Sequence, residues 1–175
     1  MKTEAFRESL KDYAKDIRLN LSSVLTPEGA PGLSPNQIHG IAYACALHTK
    51  NGALIEAIHD DAATILSDQE KNAAKIAVTL MAMNNVYYRS IHLAESPELA
   101  KLPARLRMNG IANPGIEKVD FELYCLAVSA IAGCGMCIHS HIQQAIKGGV
   151  TIEGVQSSIR IASVIQAAAT AHAMG

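Results

Sequence analysis

Apolar residues recur along this chain at intervals of three and four, and strict alternation is nearly absent. That period belongs to amphipathic helices. A first helix is expected over about Thr3–Asn20, followed by a loop carrying the turn residues of "TPEGAPGLS". Ser34-Pro35-Asn36-Gln37 then reads as a capping box, with serine at the N-cap, proline at the first helical position and glutamine at the third. Ser67-Asp68-Gln69-Glu70 repeats the device and opens a long helix toward Tyr88. Pro97, Pro103, Pro114 and Gly115 fall between Glu95 and Lys118, a stretch expected to be irregular with short helical turns. Beyond it, Asp120 is placed to cap a helix reaching about Ala132, and Gly133 loosens the chain. Gly148-Gly149 closes the next helix and Thr151 caps the last. The pattern predicts an all-α fold, a single-domain helical bundle over residues 1–175.

A weak internal repeat runs through that pattern. "NGALIEAIHDDAATILSDQEKNAAKIAVTLMAMNNVYY" and "CGMCIHSHIQQAIKGGVTIEGVQSSIRIASVIQAAATAH" both read as a short helix, a break and a longer apolar helix. A shift of 83 residues pairs Leu54 with Cys137 and Ile58 with His141. Any two Ala-rich helix pairs look somewhat alike, which is the plainer reading. As a true repeat, residues 34–90 form a scaffold half without the chemistry, and residues 118–175 form the half that bears it.

Composition narrows the class. Hydrophobic residues make up 49% of the chain, but there is no Trp, so the bulk is Ala, Ile and Leu, suited to closely packed helices. Lys75, Asn84 and Asn85 interrupt the longest apolar run, leaving none of membrane-spanning length. The opening "MKTEAFRESLKDY" is charged at helical spacing, unlike a signal or transit peptide, so a cytoplasmic protein is expected. With a formal net charge of −1 and interspersed signs, nothing offers the basic stripe that a nucleic-acid partner requires. Of the four cysteines, Cys45 and Cys125 lie singly in apolar helical segments and read as small buried hydrophobes, whereas Cys134 and Cys137 form a C-x-x-C. In a reducing compartment that pair reads as redox-active or metal-binding.

Helical phase sorts the residues around the pair. On a helix started at Cys134, Cys137 and His141 share an arc of about 60°, and His139 falls on the other side. Ile138, Ile142, Ala145 and Ile146 form an apolar stripe beside the thiols, with Met136, Gln143 and Lys147 roughly opposite. The thiols thus sit at the edge of the buried face, protected but within reach of a small substrate. Cysteines three apart on a helix have Cβ atoms about 5–6 Å apart, and a small adjustment in the first turn closes that to disulfide distance. The same turn carries unpaired N–H groups and the positive dipole end, which favour a thiolate, and His141 is one turn onward to take the proton. Glu122 is the only acid between Phe121 and Ile152. It either orients His141 as the third member of a triad or simply complements the helix dipole. Structural zinc, which draws on a second and distant ligand pair, and an inert C-x-x-C are the rival readings. His39, His48, His59, His92 and His172 read as helix-surface or cap residues.

Four segments in order, "YAKDIRLNLSSVL", "MAMNNVYYR", "LRMNGIANPGI" and "FELYCLAVSAIAGC", together with E-x11-C-x2-C-x3-H, give the chain a family look over nearly its whole length. It resembles alkyl hydroperoxidase D, of the carboxymuconolactone decarboxylase-like superfamily. The resemblance implies a helical bundle of that type, usually a homotrimer, which reduces organic hydroperoxides with thiols in antioxidant defence. By position, Cys137 would be the peroxidatic thiol and Cys134 the resolving one, joined as a redox disulfide. His141 would be the base, and Glu122 would feed it a proton relay through water. The resemblance implies no bound cofactor; dihydrolipoamide on a lipoyl-bearing acyltransferase would be the reductant and a peroxiredoxin a working partner. Met136 departs from the His or aromatic residue that family members often carry before the second cysteine. A decarboxylase of the same superfamily and a non-catalytic redox sensor or adaptor are the alternatives; a redox pair is superfluous to the first.

Overall fold

The computed structural model describes residues 2–175, so Met1 lies outside the described residues. Its centre is α8 (Lys118–Ala132), in which every side chain from Phe121 to Ser129 is buried. Four helices pack around it: α3 (Pro35–Thr49), α5 (Asp68–Leu93), α9 (Gly135–Lys147) and α10 (Ile152–Ala173). The outer elements are α1 (Lys2–Ser9), a 3-10 turn (Asp12–Ala14), α2 (Lys15–Val24), α4 (Gly52–Ala62), and the short α6 (Pro97–Ala100) and α7 (Asn109–Ala112). Among the described residues there is no strand, and no helix is long and apolar enough to cross a membrane.

Both capping boxes form as the sequence predicts. The Ser34 and Ser67 side chains accept from the third-residue N–H, and Gln37 and Glu70 reach back to the cap N–H. Thr151 likewise caps α10, and α5 runs past Tyr88 to Leu93. The close crossing of α3 and α8 depends on Gly40, where a Cβ would overlap the Tyr124 ring. Phe121, Leu126, Ile161 and Ile165 are fully buried in this core, each worth about 1.5–3 kcal/mol of hydrophobic stabilisation.

Two expectations are corrected. The single helix over Thr3–Asn20 is in fact α1, the 3-10 turn and α2. Phe6, Leu10, Ala14 and Leu21 make one apolar stripe in sequence, but α1 docks on α4 and α2 on α10, so the chain bends to serve both. The Arg18 guanidinium donates to the Leu10 carbonyl at 2.9 Å and holds the bend. Asp120 is not a cap either. α8 begins at Lys118 after Glu117, and Asp120 lies in its first turn, accepting from Gln37 Nε2 at 2.7 Å.

The internal repeat is written in the backbone. α3 and α8 both have 15 residues and both end at a left-handed residue, Lys50 at φ 61° and Gly133 at φ 70°. The next residue in each copy, Asn51 or Cys134, is an N-cap whose side chain accepts the N–H three positions on, from Leu54 or Cys137. α5 and α10 then follow as the long third helices. Where α9 carries Cys137 and His141, α4 carries buried Leu54 and Ile58, and α1 packs over α4 with Phe6 stacked on His172 at 4.9 Å.

Candidate active site

The backbone sets the cysteines before any side chain is considered. α8 ends in a Schellman motif: Cys134 N–H donates to the Ser129 carbonyl and Gly133 N–H to that of Ala130, both at 3.2 Å. Gly133 supplies the left-handed conformation this motif needs. Cys134 is therefore the N-cap of α9, at φ −89° and ψ 93°, not a member of its first turn as the helical wheel assumed. Its sulfur accepts the Cys137 N–H at 3.4 Å, taking the place of a capping oxygen. Extended backbone at the cap turns Cys134 back over the first turn, and the two cysteines are joined as a disulfide with Cα atoms 5.3 Å apart.

The cysteines differ in access. Cys134 is fully enclosed. Cys137 is 7% exposed and opens onto a cavity of about 270 Å³ shared with Met81, Asn84, His141, Met108 and Met136. The wall is largely apolar, closed on one side by α5 and on another by the segment around α7. The wheel set Met136 roughly opposite the thiols; its side chain instead lines the cavity, whose wall is completed by Met108 and Ile111. Ile146, assigned to the apolar stripe, is exposed.

Behind Cys137 lies a buried ion-pairing geometry. Glu122 is 4% exposed and His141 9%, and Glu122 Oε2 is 2.7 Å from His141 Nδ1. That contact is direct, without the intervening water that the family resemblance implied. A carboxylate on Nδ1 fixes the proton there and turns Nε2 toward the cavity, where it lies 3.3 Å from Met81 Sδ. Ser129 Oγ, 3.5 Å from the same sulfur, donates to Asn85 Oδ1 at 3.0 Å. Among the described residues no hydrogen bond joins His141 to either cysteine sulfur. Cys137 Sγ instead lies 4.0 Å from the main-chain oxygen of Asn84.

The remaining candidates fall away from this cluster. His139 is exposed. Cys45 and Cys125 are free and completely buried; burial pushes both thiols up, and nearby Glu122 adds to the shift at Cys125. His172, on α10, lies against the other half of the repeat, its Nδ1 3.2 Å from Asn51 Nδ2. Among the described residues, no group of three or more His, Cys, Asp or Glu is arranged to hold a metal ion. Sequence reasoning missed Met81 and Asn84. The signal was a polar Asn-Asn pair inside an apolar helix, read only as an interruption of hydrophobicity.

Known proteins are similar to this chain over nearly its whole length. The pattern of the carboxymuconolactone decarboxylase family matches residues 97–175, the part that holds α6 to α10. A protein of a Bradyrhizobium species, named alkyl hydroperoxide reductase AhpD, is 50% identical over 171 residues, covering 98% of this chain and 93% of the relative. Proteins of the same name from Rhodospirillum centenum and Coxiella burnetii are each 50% identical, covering 97% and 93% of this chain and 90% and 92% of their own lengths. The chain belongs to the alkyl hydroperoxide reductase AhpD family.

Proposed function

We propose that this protein is a thiol peroxidase that reduces organic hydroperoxides to alcohols through a cycle of Cys134 and Cys137. The observation that carries the reading is that one sulfur of the disulfide, Cys137, faces an apolar cavity beside His141, whose ring is held by buried Glu122. An organic peroxide has an apolar body and a reactive polar end, and the cavity offers both environments.

In the reduced protein the Cys137 thiol gives its proton to His141 Nε2, and Glu122 stabilises the imidazolium that forms. The thiolate attacks the terminal oxygen of the peroxide. A sulfur–oxygen bond forms, the oxygen–oxygen bond breaks, and the departing alkoxide takes the proton from His141. Cys137 is now a sulfenic acid. The Cys134 thiol attacks its sulfur, the disulfide forms and water leaves. Enclosure of Cys134 suits a resolving thiol, which meets only its neighbour. An external dithiol then attacks the accessible Cys137 sulfur and restores the pair, taking away two electrons' worth of oxidation. No cofactor is bound in this cycle. Dihydrolipoamide on a lipoyl-bearing acyltransferase is the reductant the family resemblance suggests, with a peroxiredoxin as a working partner in antioxidant defence. Exposed Val86 and Leu93, one heptad apart on α5, suit the homotrimer the resemblance also suggests. The halves 34–90 and 118–175 divide the labour as scaffold and site.

Steady-state consumption of cumene hydroperoxide with dihydrolipoamide, thioredoxin or glutathione tests this reading. Sustained turnover with dihydrolipoamide is expected. One stoichiometric oxidation followed by a stall with every reductant would make the chain a redox sensor instead.

A further inference from the structure

The base of the thiol cycle faces away from its thiol while the disulfide is closed. His141 Nδ1 is engaged by Glu122 at 2.7 Å. Nε2, the nitrogen that serves Cys137, has one hydrogen-bond partner among the described residues, Met81 Sδ at 3.3 Å. A thioether sulfur can accept a hydrogen bond and cannot donate one. With a bare Nε2, two lone pairs would face each other at that distance. With a proton on Nε2 the contact is a hydrogen bond from an imidazolium whose charge Glu122 balances. Met81 is 1% exposed on α5, so the core holds its sulfur in place. The Ser129 hydroxyl has a single proton and lies nearer Asn85 Oδ1, at 3.0 Å, than the sulfur, at 3.5 Å, which leaves the sulfur to His141. The Asn84 side-chain oxygen, also on α5, is buried with no partner and does not reach the ring. Apart from His141, no histidine, acid, lysine or arginine lines the cavity.

Resting on the peroxidase reading, we propose that Met81 is a positioning residue for His141: its sulfur accepts the Nε2–H while Cys137 is held in the disulfide, and yields it to the Cys137 thiolate when reductant opens the bond. The reductive half of the cycle then starts with its cation in place. A thiolate of the external dithiol attacks the Cys137 sulfur, the bond to Cys134 breaks, and Cys134 leaves as a thiolate that takes up a proton. The second sulfur of the dithiol attacks the first, the dithiol closes into its own disulfide, and Cys137 departs as a thiolate. Two electrons have passed to the protein. Of the dithiol's two protons, one is now on Cys134. The other has gone to water, and balances the proton His141 took up after giving its own to the alkoxide. As Cys137 leaves, the Nε2–H turns from the Met81 sulfur to the new thiolate, and a leaving thiolate met by a cation departs faster. In the reduced protein the Met81 sulfur has no further part, so the peroxide step does not depend on it.

The test separates the two halves of the cycle. Met81→Leu keeps an apolar side chain of similar size and removes the acceptor; Met81→Gln keeps the length and restores an acceptor in its amide oxygen. Two single-turnover rates are measured for each protein. One is reduction of the disulfide form by free dihydrolipoamide with no peroxide present; the other is oxidation of pre-reduced protein by cumene hydroperoxide. Met81→Leu is expected to slow reduction by about tenfold and to leave oxidation within about twofold of wild type, and Met81→Gln to recover most of the reduction rate. Isotope-edited nitrogen spectra of the disulfide form give a second readout that packing alone would not move. Both His141 ring nitrogens are expected to carry protons in wild type and Met81→Gln, and Nε2 to lose its proton in Met81→Leu. An equal fall in both rates, equal reduction rates in Met81→Leu and Met81→Gln, or one His141 spectrum common to all three proteins would overturn the assignment. Wild-type protein that dihydrolipoamide reduces but no hydroperoxide oxidises would remove the peroxidase reading, while the reduction rates and spectra still decide the role of Met81.

Discussion

Glu122 and His141 come from neighbouring helices, α8 and α9, and meet at 2.7 Å with both side chains almost fully enclosed. A buried carboxylate among apolar side chains is costly unless paired, and here the partner is a histidine one turn beyond Cys137. Glu122→Gln keeps the shape and removes the charge. The expected result is a loss of about a hundredfold or more in peroxide turnover, with alkylation of Cys137 displaced to higher pH. His141→Gln is expected to displace it the same way. An alkylation profile identical to wild type in both variants would remove the pair from the proton path.

Cys45 and Cys125 are predicted to be chemically silent. Burial raises both thiols, so at neutral pH they stay protonated, and neither has exposed surface. Reduced native protein should titrate only Cys134 and Cys137 quickly with a disulfide reagent, and all four cysteines in denaturant. Rapid labelling of either buried cysteine in the native state would contradict this.

Gly40→Ala is expected to destabilise, although alanine is the better helix former by about 1 kcal/mol. The added methyl meets the buried Tyr124 ring, and overpacking of this kind costs about 1–3 kcal/mol. Denaturant unfolding measures the sign directly. A stabilised variant would show that α3 and α8 separate more easily than their packing suggests.

The repeat makes a constructive prediction. Asn51 and Leu54 hold the N-cap and third positions of α4, as Cys134 and Cys137 do for α9. The double variant Asn51→Cys, Leu54→Cys is expected to form a second intrachain disulfide on mild oxidation, seen by peptide mapping. Two free thiols there after oxidation would mean the equivalence stops at the backbone.

Much of this was legible from local signals. Capping boxes at Ser34 and Ser67 and the threonine cap at Thr151 are contained within four residues each, and all form. Helical phase grouped Cys137 with His141 and excluded His139, because that grouping depends on one helix alone. Errors arose where a second element intervenes. The first helix breaks because α1 and α2 dock on different partners, and Met136 lines the cavity because distant residues, Met108 and Ile111, complete its wall. Cys134 left the helix for a reason visible only in the joint: the Schellman end of α8 spends the residue after Gly133 as both terminator and cap. Asn84 was hidden because an unpaired acceptor is a property of surroundings, not of sequence.

The most direct measurement of the central claim is the product of one turnover in Cys134→Ser. Pre-reduced variant is mixed with one equivalent of cumene hydroperoxide in the presence of dimedone, and its peptides are mapped by mass spectrometry. The account predicts a dimedone adduct on Cys137 alone, with one cumyl alcohol released per chain, and none in Cys137→Ser. An adduct on another cysteine, or alcohol release by Cys137→Ser at the wild-type rate, would contradict it.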